Sequence, residues 1–79
     1  MQARVVNPWY DREGRKYVDL EINGEFRNVK VPWRYNRVMC KVDGLKPVQE
    51  LGADEVVHVT LTKRVWEGHT HWILASLKT

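Results

Sequence analysis

Of the four tryptophans and three tyrosines in this chain, all but Trp72 lie within three positions of an arginine or lysine. Trp9 and Tyr10 precede Arg12, Tyr17 follows Lys16, Trp33 and Tyr35 flank Arg34, and Trp66 follows Lys63 and Arg64, while Trp72 sits beside His71. A flat π face next to a cationic head can stack an unpaired base and follow its phosphate backbone, so the pattern points to single-stranded DNA or RNA. Stacking on one ring contributes about 1–3 kcal/mol, and two or three exposed rings with a few phosphate contacts give useful affinity without reading base identity. The competing expectation is that the rings fill the core of a small domain, because Trp is highly buried on average. That reading fits Trp9 and Trp72 best. Trp33, wedged between Pro32 and Arg34, fits exposure, and Trp66 is open.

The charge is polarised along the chain. Arg27, Lys30, Arg34, Arg37 and Lys41 fall in an acid-free stretch, and the following segment carries Asp43, Glu50, Asp54 and Glu55 against Lys46, within a formal net charge of +3. Ring candidates for a nucleic-acid contact are therefore Tyr17, Phe26, Trp33, Tyr35 and Trp66. The phosphate candidates are Arg12, Arg15, Lys16, Arg27, Lys30, Arg34, Arg37 and Arg64, each of which would serve equally as a solvated surface charge. Arg34 and Arg37 have the best claim, since aromatic neighbours and the acid-free stretch coincide there.

Other chemistries find little support. His69 and His71 would project to one face of a strand and His58 could approach from a partner strand, but a structural zinc site needs four ligands and the one cysteine, Cys40, lies elsewhere. No metal or cofactor is expected. The chain has no G-x-S-x-G, no phosphate-cradling glycine loop and no Cys-His pair at a recognisable spacing, so it is not expected to be an enzyme. Cys40, between Met39 and Lys41, reads as a small core hydrophobe. A lone cysteine fits a reducing compartment, Met1 to Asn7 show no apolar signal region, and no apolar run approaches the ~20 residues of a membrane span. A cytoplasmic protein with no membrane partner is the expectation.

The elements that would position these residues are strands. With 79 residues the chain is one domain, 1–79, which buries only about 60% of the surface its unfolded form exposes. Ala3 to Val6 is β-prone and Pro8 suits a strand end or an exposed edge. The polar segment 11–16 reads as a hairpin loop, and Tyr17 to Ile22 alternates with Val18, Leu20 and Ile22 on one face. Asn23-Gly24 is the strongest local signal, because a two-residue type I′ turn needs positive φ at both positions. That turn sets Ile22 against Glu25, Leu20 against Arg27 and Val18 against Val29. It sends Val29 and Val31 to the core and leaves Phe26 outside, unless a bulge turns it inward. Pro32 ends the third strand, Trp33 to Arg37 forms a basic aromatic loop, and an apolar run 38–42 leads to a turn at Asp43-Gly44. Pro47, Val48, Leu51 and Gly52 are placed for one short helix. A long strand 56–66 directs Val57, Val59 and Leu61 inward, and after a turn at 67–70 the chain returns over 71–78 with Ile73, Ala75 and Leu77 inward.

The expected fold is all-β: a small five-stranded barrel with one short helix between strands three and four, and either an OB-like or an SH3-like closure. The strand order, with Glu50-Leu51-Gly52 leading into Val56-Val57-His58-Val59, resembles the small OB-fold single-stranded DNA-binding proteins, including compact phage and viral versions. That resemblance implies a ligand path over strands two and three and the loops joining strands one to two and four to five. The expected function is non-enzymatic binding of single-stranded DNA or RNA. The alternative is a protein-interaction or regulatory module, such as a phage or viral factor that docks on a host or replication protein. A homodimer is plausible under either, since a small core with exposed strand edges gains from pairing.

Overall fold

The computed structural model describes residues 1–32 and 48–78. Three glycine-ended turns dictate most of the architecture. Glu13-Gly14 (φ 54° and 76°), Asn23-Gly24 (52° and 81°) and Glu67-Gly68 (53° and 74°) each hold both residues at positive φ. That is the twist a two-residue hairpin needs. They join β1 (Gln2–Arg12) to β2 (Arg15–Ile22), β2 to β3 (Glu25–Lys30), and β4 (Val56–Trp66) to β5 (His69–Lys78). A single 3-10 turn, Val48–Glu50, precedes β4.

The strands close into a barrel in the order β1-β2-β3-β5-β4, with β1 returning to β4 over Gln2 to Arg4. All neighbours are antiparallel except β3 and β5, which run parallel through Val29↔Trp72 and Lys30↔Ile73. The chain is thus an all-β, mixed five-stranded barrel. Its interior is aliphatic: Val5, Val18, Leu20, Val29, Val48, Val57, Val59 and Leu74 are fully buried, with Leu51 and Leu77 beside them. Trp9, Leu61 and Trp72 pack against this cluster while keeping part of their surface in solvent.

Within β2 and β3 the pairing is the one the Asn-Gly turn predicts, Ile22↔Glu25, Leu20↔Arg27 and Val18↔Val29, with Val31 buried and Phe26 outside. Of the two alternatives for Pro8, a strand end or an exposed edge, it takes the edge: β1 continues to Arg12 through register shifts between Val5 and Asn7 and between Asn7 and Tyr10. The proline is tolerated because β4 pairs with β1 only up to Arg4, so its missing N–H interrupts no β4 ladder. Two expectations need correction. The hairpin loop expected over 11–16 shrinks to Glu13-Gly14, since Asp11↔Lys16 and Arg12↔Arg15 are already paired. On β5, Thr60 pairs with Ser76 but Leu61 pairs with Leu74, which leaves Ala75 as an extra residue. This bulge reverses the alternation, so Leu74 and Trp72 turn inward in place of Ala75 and Ile73. The basic aromatic loop, the apolar run 38–42 with Cys40, the Asp43-Gly44 turn and Pro47 at the start of the expected helix lie outside the described residues.

Candidate nucleic-acid interface

Strand alternation sorts the candidate residues onto two surfaces. Val18, Leu20 and Val29 point into the barrel, so Tyr17, Asp19 and Glu21 on β2 and Phe26, Asn28 and Lys30 on β3 point out. On β1 their outward neighbours are Tyr10, opposite Tyr17, Asn7, opposite Asp19, and Arg4, opposite Glu21. The row continues across the barrel, because Tyr10 pairs with Tyr17, Tyr17 with Lys30, Lys30 with Ile73 and Ile73 with Thr62. Two positions further along β4, Arg64 lies opposite His71 and Trp66 opposite His69.

This outer face carries rings in usable form. Tyr10 and Tyr17 stack on each other, 5.9 Å between centroids and 27° between planes. Phe26 is 65% exposed on the neighbouring strand. Trp66 lies flat on His71, with centroids 3.5 Å apart and planes within 2°, so one indole face is already covered. The His71 Nε2 beneath it is buried with no hydrogen-bond partner among the described residues.

Between the rings sits a hydrogen-bonded hub. Asp19 Oδ1 accepts from the Tyr10 hydroxyl at 2.9 Å and from Asn28 Nδ2 at 2.8 Å, and Oδ2 accepts from Asn7 Nδ2 at 2.8 Å. Asn28 Nδ2 also donates to the Tyr10 oxygen at 2.6 Å. Burial pushes the Asp19 carboxyl up, but the hydrogen bonds from Asn28, Asn7 and Tyr10 together outweigh it and hold the group below the usual carboxylate range. For Tyr10, burial, the hydrogen bond to Asp19 and the nearby carboxylate charge all raise the phenol. Next to the hub, Asn7, Pro8, Tyr10 and Asp19 line an open hollow of about 410 Å³.

Among the described residues the cations divide unevenly. Arg12 and Arg15 lie exposed and paired across the β1–β2 turn, and Lys30 and Arg64 lie on the outer row, all without a salt bridge to a described carboxylate. Arg4 is engaged by Glu21 at 2.8 Å and Asp54 at 2.6 Å. Lys16 and Arg27 face the barrel side instead. Lys16 is ion-paired with Asp11 and stands over the Trp9 ring at 5.9 Å. Arg27 is ion-paired with Glu25 and stands over Trp72 at 5.4 Å, with Lys63 over the same ring at 6.0 Å. Of the sequence-derived candidates, the outer face therefore gathers Tyr17, Phe26, Lys30, Arg12, Arg15, Arg64 and Trp66. Trp33, Arg34, Tyr35 and Arg37 lie outside the described residues.

The hub of Asn7, Asp19 and Asn28 was not among the sequence candidates. The Asp19–Asn28 contact was within reach, because the Asn23-Gly24 register sets those two residues opposite each other. Asn7 gave no such signal, since the irregular pairing of β1 around Pro8 decides where it lands. The three histidines do not converge: His58 pairs with Lys78 and His71 with Arg64, at separate ends of one hairpin. No three His, Cys, Asp or Glu side chains among the described residues are grouped to hold a metal ion. Compared with family models, curated proteins and solved structures, the chain finds no match.

Proposed function

We propose that the barrel is of the OB type and binds single-stranded DNA or RNA, without turnover, along the outer face of β1, β2 and β3. The observation that carries this reading is the association on one face of the Tyr10–Tyr17 stack and exposed Phe26 with Lys30, Arg12 and Arg15. Rings supply sequence-tolerant stacking and the cations follow the phosphates. The strand order supports the fold assignment, since a parallel pair between the third and fifth strands favours the OB closure over an SH3-like barrel of antiparallel neighbours. In this reading the Val48–Glu50 turn belongs to the 25-residue segment, 31–55, that links β3 to β4, and Val48 and Leu51 pack into the core. Trp33, Arg34, Tyr35 and Arg37 add further candidates on their chemistry alone.

Fluorescence anisotropy with a labelled oligonucleotide at several salt concentrations tests the proposal. Three to four phosphate contacts predict a log–log salt slope of about −2 to −3, from roughly −0.7 per neutralised phosphate of a single strand. Absence of binding at low salt contradicts it. That outcome would favour a protein-docking module, for which exposed Val65, on the part of β4 that pairs only with β5 among the described residues, is the supporting feature.

A further inference from the structure

We infer that the Asn7–Asp19–Asn28 hub makes this surface selective for bases that carry an exocyclic amino group, cytosine, adenine and guanine, over uracil and thymine. The inference rests on the strand-binding reading above and adds a specificity that stacking alone does not supply. A carboxylate only accepts hydrogen bonds, so both asparagines must turn their NH₂ groups toward Asp19 and their carbonyl oxygens away from it. Asn28 spends both amide hydrogens, one on Asp19 Oδ1 and one on the Tyr10 oxygen, and Tyr10 spends its single proton on Asp19. What the hub can still offer a ligand is mostly acceptors: the remaining lone pair on Asp19 Oδ2 and the carbonyl oxygens of Asn7 and Asn28, which have no partner among the described residues. Against these stands one spare hydrogen on Asn7 Nδ2. The low-lying Asp19 carboxyl keeps its negative charge at neutral pH.

The open hollow lined by Asn7, Pro8, Tyr10 and Asp19 has room for a base edge next to the Tyr10–Tyr17 stack. The two N4 hydrogens of cytosine can go to Asp19 Oδ2 and to an asparagine carbonyl. Uracil sets its O4 in the same place, where a carbonyl faces a carboxylate with no hydrogen between them, and its one donor on this edge, N3–H, lies between O4 and O2, so bringing it to Asp19 sets both carbonyls beside the acceptors of the hub. Leaving such acceptors desolvated and unpaired is what rejects the wrong base.

The test is a titration of the full chain with oligo-dC and oligo-dU of equal length at neutral pH and fixed salt. These differ only at position 4 and in the N3 proton. The expected result is binding of oligo-dC about tenfold tighter, the scale of one charge-assisted hydrogen bond. Asp19→Asn, which keeps the side-chain shape, is expected to bring the ratio close to one. Oligo-dA against oligo-dI gives a second comparison that needs no variant, since these purines differ at position 6, and oligo-dA is expected to bind tighter. Equal affinities within either pair for the wild-type chain, or an undiminished ratio in a folded Asp19→Asn chain, overturn the inference while leaving strand binding intact. Failure of all four oligonucleotides to bind at low salt overturns the strand-binding reading itself, and the inference with it.

Discussion

Asp19 couples the stability of the barrel to pH. Its folded pKa lies below the ordinary value, so as pH falls the unfolded chain takes up this proton before the folded chain does. The stabilisation is complete above the ordinary carboxylate range and is lost as pH drops through that range toward the folded value. The melting temperature of the wild-type chain is therefore expected to fall more steeply between pH about 5 and about 2 than that of Asp19→Asn, and parallel profiles would contradict the role given to the hub. Phe26 separates binding from stability in the other direction. With 65% of its surface exposed it contributes little to the core, so Phe26→Ala should leave the urea midpoint nearly unchanged. The same change should weaken oligonucleotide binding by about 1–3 kcal/mol. A large loss of stability with unaltered affinity would place the ring in the fold and not in the ligand path.

At the level of elements, the three turns share a backbone but not a sequence logic. Asn23 accepts φ 52° readily, whereas Glu13 at 54° and Glu67 at 53° do so against their preference. Glu13→Asn and Glu67→Asn should each stabilise the protein by about 1 kcal/mol, read as a shift of the urea midpoint at constant slope, and no shift would mean that these turns are not under that strain. The same contrast explains what the sequence reveals about the sheet. Asn23-Gly24 announces its hairpin and register, and the positions of Val29, Val31 and Phe26 follow from it. Around Glu13-Gly14 the hairpin is legible but its register is not, because glutamate carries no type I′ signal, so the segment 11–16 reads as a longer hairpin loop although strand pairing imposes a two-residue turn. The Ala75 bulge is equally silent: an apolar run of Trp72, Ile73, Leu74 and Ala75 offers either alternation, and only the partner strand decides between them.

At the level of the whole molecule, barrel closure depends on long-range contacts that no local pattern encodes. The five strands and three hairpins are legible from alternation and turn residues, but the parallel β3–β5 closure rests on Val29 with Trp72 and Lys30 with Ile73, pairs more than forty positions apart. Trp72 is central to it, packing on the core beneath Arg27 and Lys63. A domain of this size has a total stability of about 4–12 kcal/mol, and Trp72→Ala should remove about 3 kcal/mol of it. Denaturant unfolding would show this as a large drop in midpoint, and a small drop would mean that the indole is dispensable to closure. Mapping the amide chemical shifts of the labelled chain during titration with oligo-dC locates its binding surface, proposed here as the outer face of β1, β2 and β3. The largest shifts are expected at Tyr10, Tyr17, Asp19, Phe26, Asn28 and Lys30. Shifts confined to the far side of the barrel, at His58, Thr60 and Ser76 on β4 and β5, or no shifts at all at low salt, would contradict the proposal.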